Sequence, residues 1–333
     1  MPEPILLLIL IVAGIAVLLF GGEVLVRGAT SLARRLGVPA LIVGLTIVAF
    51  GTSAPEMVVS AAAAIEGAPG LAIGNIVGSN IANILLVLGL PAIIAPLATK
   101  APGVRRNAFI ALALTGLFIW FGMDGALGLN EGWALAGLIV AYVAYLAIGA
   151  RSAKDDPVIA ELTEVDDMDG LPQTWLMTGV YVLLGLVLLP VGAQLIVTGG
   201  AGIAREFGVS EAVIGLTILA FGTSLPELAT ALVAALKRQA EMAIGNVIGS
   251  NIFNICAVGG ITGVAASLAT GEPAPVEQSF IAFDFWVMAG VMIAIAGLIF
   301  AGRKVSRPVG AVFAAAYVAY VVWLVAQNVP GVL

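Results

Sequence analysis

The sequence predicts an all-α polytopic membrane protein of about ten transmembrane helices, arranged as two inverted-topology five-helix repeats. Three observations carry that prediction. First, the 333 residues are 61% hydrophobic and 10% charged, with a mean hydropathy of +1.13, whereas a soluble domain carries roughly 25% charged residues. The apolar runs are near the ~20 residues that cross a hydrocarbon core, and the ~10-residue alternating segments of a membrane β-barrel are absent. Second, one stretch occurs twice. GLTIVAFGTSAPEMVVS from Gly44 and AIGNIVGSNIANI from Ala72 return, each 171 positions later, as GLTILAFGTSLPELATA from Gly215 and AIGNVIGSNIFNI from Ala243. The ungapped match keeps 11 of 17 and 10 of 13 residues, the signature of an internal duplication. Third, the basic residues are segregated, as the spans taken in order show.

The first span covers about 5–26 and precedes a loop with Arg27, Arg34 and Arg35. It lacks a basic n-region and a small-residue cleavage site, and is expected to be a retained helix rather than a signal peptide. The second, about 40–65, is interrupted by Gly51-Thr52-Ser53-Ala54-Pro55. The third, about 71–96, opens on the Gly74…Gly78-Ser79-Asn80 cluster, and the fourth and fifth cover about 105–122 and 132–149. The second half repeats the plan at about 172–198, 212–236, 242–268, 279–301 and 308–327. The domains expected are thus residues 1–149, an acidic linker 150–171 carrying Asp155, Asp156, Glu161, Glu164, Asp166, Asp167 and Asp169, and residues 172–333.

Of the 14 Lys and Arg residues, 13 fall in loops after odd-numbered spans and only Arg205 lies on the other side. The positive-inside rule then places the linker in the cytoplasm and both termini outside. With an odd number of spans per half, the second copy enters from the opposite face, so the repeats are related by a pseudo-two-fold axis in the membrane plane. Paired in that way, they bring Glu56 and Glu227 toward each other near the midplane.

The absence of histidine excludes imidazole metal ligands and proton relays. One cysteine, Cys256, excludes an internal disulfide and a thiolate cluster; it reads as a small apolar packing residue. The net charge of −6 arises largely in the linker. Inorganic cations and the lipid bilayer are the partners expected, with no nucleic acid, no obligatory protein partner and no resident cofactor.

Glu56 and Glu227 lie inside apolar helices, where an isolated carboxylate costs several kcal/mol. Protonated glutamates serving packing alone are the alternative. Each glutamate, however, sits beside a helix break and other oxygen-bearing side chains. Pro55 and Pro226 lack an N–H, so the carbonyls of Gly51 and Gly222 lose their helical partner, and freed carbonyls at membrane depth are tolerated where they line a cavity or hold an ion. Thr52, Ser53, Thr223 and Ser224 add hydroxyls within one turn. Ser79 and Asn83 share a helix face, as do Ser250 and Asn254, although small polar residues also join membrane helices without binding anything. Two carboxylates among neutral oxygens, without nitrogen or sulfur ligands, suit a hard cation such as Ca²⁺. The same oxygens suit Na⁺ or a proton when Ca²⁺ leaves, and competition at a shared site is the basis of exchange.

At GTSAPE (51–56), GTSLPE (222–227), GNIVGSNIAN (74–83) and GNVIGSNIFN (245–254), the chain resembles the sodium/calcium exchanger family, nearest its prokaryotic calcium/sodium antiporters. The resemblance implies that Glu56, Glu227, Thr52 and Thr223 ligate Ca²⁺. It also implies Na⁺ sites from the Ala49 and Ala220 carbonyls with Ser53, Ser79, Asn83, Ser224, Ser250 and Asn254. Spans two, three, seven and eight would form the ion-binding core, and spans one and six would slide across it. Family members often carry aspartate where this chain has Asn254, which removes one ionisable group from the site.

The function expected is a Na⁺/Ca²⁺ antiporter working by alternating access and exporting Ca²⁺. A Ca²⁺/H⁺ antiporter on the same scaffold is the nearest alternative. A Ca²⁺-permeable channel fits less well, because a midplane site between inverted repeats is not a pore on a subunit axis. An enzyme is not expected, for the serines of the GTS motifs have no histidine or adjacent lysine to activate them. Glu23 and Asp284, near span ends, are expected to snorkel or face solvent. The linker reads as a solvated tether, since Asp166-Asp167-Met168-Asp169-Gly170 lacks EF-hand spacing.

Overall fold

A computed structural model describes residues 3–153, 170–207 and 220–328. Its helices are α1 (Glu3–Leu36), α2 (Ala40–Thr52), α3 (Ala54–Ile65), α4 (Pro69–Ile94), α5 (Val104–Gly122), α6 (Leu129–Ala153), α7 (Trp175–Glu206), α8 (Ala220–Thr223), α9 (Leu225–Leu236), α10 (Ala240–Thr270), α11 (Phe280–Phe300) and α12 (Arg307–Asn328). Eight of these are long and apolar enough to cross a membrane, and the bent pair α2–α3 makes a ninth. The span expected at 212–236 is described only from Ala220 onward, as α8 and α9. Most of the acidic linker likewise lies outside the described residues.

The loop expected after the first span is instead helix. α1 runs on to Leu36 and carries Arg34 and Arg35 in its last turn. Basic side chains are favourable at that end of a helix dipole, and a charged stretch with good helix formers need not end a helix where it ends an apolar run. Two tiny strands, β1 (Ala126–Leu127) and β2 (Ala274–Pro275), pair antiparallel and tie the α5–α6 loop to the α10–α11 loop.

The helices form an inner bundle and a flanking pair. The inner part centres on α4 and α10. In α4, 83% of the membrane-length window is buried, against 11% for α12. α2 and α10 meet backbone to backbone: a Cβ added at Gly245 would lie 2.8 Å from the Leu41 carbonyl oxygen, and one at Gly249 2.8 Å from that of Leu45. Such close approach lets dispersion replace the missing hydrophobic drive between helices in lipid.

α1 and α7 correspond under the duplication and run antiparallel along one side, as inverted repeats require. Leu7 faces Gly199, Gly14 faces Gly192, Leu25 faces Gly185 and Gly28 faces Val182. Their ends are also bonded. Ser31 Oγ donates to the Pro172 carbonyl at 3.0 Å and lies 2.9 Å from Thr178 Oγ1. Arg35 donates to Thr178 Oγ1 (3.0 Å) and to Pro172 O (3.2 Å), with its guanidinium carbon 5.4 Å from the Trp175 ring centre.

Candidate cation-binding site

Both helix breaks have one geometry. Ser53 (φ −84°, ψ 2°) separates α2 from α3, which turn through 43°, and Ser224 (φ −88°, ψ 2°) separates α8 from α9. Pro55 and Pro226 then sit in the first turn of the following helix, where a missing N–H is tolerated. Each break puts its glutamate in the next turn, and both are almost completely buried: Glu56 at 1% exposure and Glu227 at 0%.

The four signature segments converge through bonds that cross between repeats. Ser53 Oγ donates to Glu227 Oε1 at 3.2 Å. Thr52 Oγ1 lies 3.2 Å from Asn246 Oδ1 and 3.4 Å from both Ser250 Oγ and the Ala49 carbonyl oxygen. Asn83 Nδ2 donates to Asn251 Oδ1 at 3.0 Å, and Asn251 Nδ2 to the Asn80 carbonyl at 3.4 Å. Ser79, Ser224, Ser250 and Asn254 are buried with them. Ser79 Oγ reaches Asn75 Oδ1 only at 3.5 Å. Thr223 is half-buried, unlike its counterpart Thr52. The Ala49 carbonyl already accepts from the Ser53 N–H at 3.0 Å. Ala220 opens α8. Gly51 and Gly222 lie against the side chains of Leu186 and Val197 of α7, which would have to shift to admit a Cβ at either position.

Several polar atoms of this cluster have no hydrogen-bond partner among the described residues: both carboxylate oxygens of Glu56, Glu227 Oε2, Ser224 Oγ, Asn83 Oδ1, and Asn254 Oδ1 and Nδ2. Buried polar atoms are rarely left so, and a bound cation could satisfy the oxygens among them. Among the described residues no group of three or more His, Cys, Asp or Glu forms, so any cation here is met by two carboxylates and neutral oxygens.

Sequence reasoning passed over Asn75 and Asn246, which lie in the repeated motifs and 171 positions apart. Asn246 accepts from Thr52. Asn75 Nδ2 donates to Ser60 Oγ at 2.9 Å and to the Glu56 carbonyl at 3.4 Å, bracing the glutamate-bearing helix. Their retention in both copies was the available signal. It also passed over the π-helical turns at Asn83–Val87 and Asn254–Val258, which correspond residue for residue and each open on an asparagine of the cluster. Such turns are rare and frequent at functional sites.

Two peripheral carboxylates depart from expectation. Asp284 neither snorkels nor faces solvent; it is 3% exposed and accepts from Tyr320 Oη at 2.8 Å, because the Phe280–Asp284 π turn carries it inward against α12. Glu23 is partly exposed but paired, with Lys237 Nζ and Arg27 each 2.6 Å away.

Fold and site together define the class: a helical membrane transporter whose two inverted repeats enclose a buried, oxygen-lined cluster at their meeting point. The chain belongs to the sodium/calcium exchanger protein family, whose profile matches residues 6–148 and 177–326, and it is accordingly a transporter and not an enzyme. CaxA of Alkalimonas amylolytica is 38% identical over 316 residues, covering 94% of this chain and 96% of that one. The sodium/calcium exchanger MaX1 of Methanosarcina acetivorans is 30% identical over 353 residues, covering 95% and 97%. Among solved structures, the sodium-calcium exchanger NCX_Mj soaked with 10 mM Na⁺ and 10 mM Sr²⁺ superposes with a TM-score of 0.79 at 30% identity, covering 96% and 98% of the two chains.

Proposed function

We propose that this transporter exchanges Na⁺ for Ca²⁺ by alternating access, exporting Ca²⁺ as Na⁺ enters. One observation carries the reading: each repeat contributes one fully buried carboxylate, Glu56 and Glu227, to a cluster whose other groups are hydroxyls, amides and backbone carbonyls. Two carboxylates neutralise a divalent ion and the neutral oxygens complete the six to eight ligands of Ca²⁺. In this reading Ca²⁺ is held by Glu56, Glu227, Thr52 and Thr223. Na⁺ uses the carbonyls of Ala49 and Ala220 with Ser53, Ser79, Asn83, Ser224, Ser250 and Asn254, and the breaks at Gly51, Pro55, Gly222 and Pro226 keep backbone oxygens available. The names of MaX1 and NCX_Mj support the choice of ions.

The two repeats (1–149 and 172–333) act as halves of one carrier joined by the 150–171 linker. The α1–α7 pair, bonded within itself at its ends and flanking the bundle, is the part that moves. The membrane is a prokaryotic inner membrane with the linker on its cytoplasmic side; the relative YrbG of Escherichia coli (strain K12), 35% identical over 319 residues, is an inner membrane protein.

The test is ⁴⁵Ca²⁺ uptake into Na⁺-loaded proteoliposomes, with Na⁺ and pH gradients imposed separately. Uptake is expected to follow the Na⁺ gradient alone and to fall at least ~100-fold in Glu56→Gln and in Glu227→Gln, since each leaves Ca²⁺ one charge short in a medium where charges are poorly screened. Uptake that follows only the pH gradient would instead establish Ca²⁺/H⁺ exchange. If more than two Na⁺ enter per Ca²⁺, each net charge gains about 2.3 kcal/mol per 100 mV, and uptake then responds to an imposed potential.

A further inference from the structure

The 171-residue correspondence continues without a gap through Gly21–Gly44 and Gly192–Gly215, so residues of the α1–α7 pair have defined counterparts. Glu23 corresponds to Gln194, Arg27 to Thr198, and Lys237, just past α9, to Glu66, just past α3. On one side of the molecule the three are charged and joined: Glu23 Oε1 meets Lys237 Nζ at 2.6 Å and Arg27 at 2.6 Å, and Arg27 also donates to the Gly170 carbonyl at 3.2 Å. On the other side Gln194 Nε2 donates to Thr198 Oγ1 at 3.3 Å, and Glu66 is exposed. The same chain positions thus carry an ionic contact in one copy and a neutral pair in the other. The turn that presents Lys237 is itself unusual. Arg238 adopts φ +62°, where its counterpart is Gly67 at φ +80°, a region disfavoured for residues with a side chain.

The flanking pair is also placed asymmetrically. Gly51 and Gly222 are counterparts, yet both face α7, through Leu186 and Val197. Ile15, the counterpart of Leu186, is 46% exposed instead of packing on Gly222. The pair therefore sits in one of two arrangements that the pseudo-two-fold axis would interchange, and the charged trio is engaged in this one.

We propose that Glu23, Arg27 and Lys237 form a one-sided ionic latch between the moving α1–α7 pair and the end of α9. The latch makes the arrangement seen here the resting one, favoured over that in which Gln194 and Thr198 face Glu66. The proposal rests on the alternating-access reading above. Because the two carriers of the contact are 28% and 32% exposed, its influence is the several-fold of a partly screened network, and it weakens with ionic strength.

The test uses the full chain in nanodiscs without Na⁺ or Ca²⁺, with Cys256 replaced by alanine and spin labels at two exposed positions, Leu19 on α1 and Leu268 on α10, read by pulsed electron resonance. One distance is expected to dominate. Glu23→Gln and Lys237→Gln should each raise the ratio of a second distance to the first by about three- to tenfold. Gln194→Lys, which gives Glu66 a partner in the opposite arrangement, should shift the ratio the same way. Unfolding temperature, followed in parallel, separates a latch from a purely structural contact. Lowered stability with unchanged distance ratios in all three variants overturns the latch. If added Na⁺ or Ca²⁺ still changes the distances in that case, the carrier reading survives without it. A single distance under every condition overturns both.

Discussion

At the residue scale, the site combines groups visible in the sequence with groups that matter only through their neighbours. The glutamates were legible because a carboxylate in an apolar helix has no inexpensive structural role. Asn246 was not singled out, since an asparagine on a membrane helix is as readily helix-joining as ion-binding. Its contact with Thr52, 194 residues away in sequence, gives it a specific part: fixing the hydroxyl's direction. Asn246→Ala removes the shortest of that buried hydroxyl's three contacts and leaves only partners at 3.4 Å, a loss of about 1 kcal/mol. The half-saturating Ca²⁺ concentration is expected to rise at least ~fivefold, as read by ⁴⁵Ca²⁺ uptake across a concentration series, with Na⁺ dependence retained.

At the scale of elements, the breaks and the π turns decide which way the ligand groups point. Pro55 and Pro226 announced the breaks, because a missing N–H has one local consequence wherever it occurs. The π turns at Asn83 and Asn254 had no such marker. A widened turn depends on packing that makes room for one extra residue, and composition does not encode that room. Replacing Pro55 by alanine restores an N–H in the first turn of α3 and relaxes the constraint on Ala54, next to Ser53, whose hydroxyl reaches Glu227. Because Pro55 occupies a tolerated position, the unfolding temperature in detergent is expected to stay within a few degrees while apparent Ca²⁺ affinity falls about tenfold. An unchanged affinity would reduce the break to a packing feature.

For the whole molecule, two properties follow from the repeats. The α1–α7 pair packs through glycines whose backbones are in contact: a Cβ at Gly192 would lie 2.8 Å from the Leu18 nitrogen and 2.9 Å from the Gly14 carbonyl oxygen. Backbone cannot yield as a side-chain tip can, so Gly192→Val should destabilise the protein by about 1–3 kcal/mol, seen as a lower unfolding temperature. The charge segregation makes the second prediction. Reporter fusions active only in the cytoplasm should be active when inserted in the linker near Asp166 and inactive at either terminus. The reverse pattern would mean that the single basic residue at Arg205 marks the cytoplasmic side.

By itself the sequence determined the membrane class, the duplication, nearly all the helices and the two glutamates, because each follows from local chemistry: apolar length, an ungapped offset, a missing N–H, a charge where charge is costly. What only the tertiary structure decided is how the copies differ. Glu227 has a hydroxyl donor while Glu56 has no partner among the described residues, Thr52 is buried while Thr223 is half-exposed, and α7 covers both breaks. Near-identical motifs specify a symmetric pair of halves. Here the antiparallel α1–α7 pair does not sit equally against both halves, and that asymmetry is made by contacts between residues far apart in the chain.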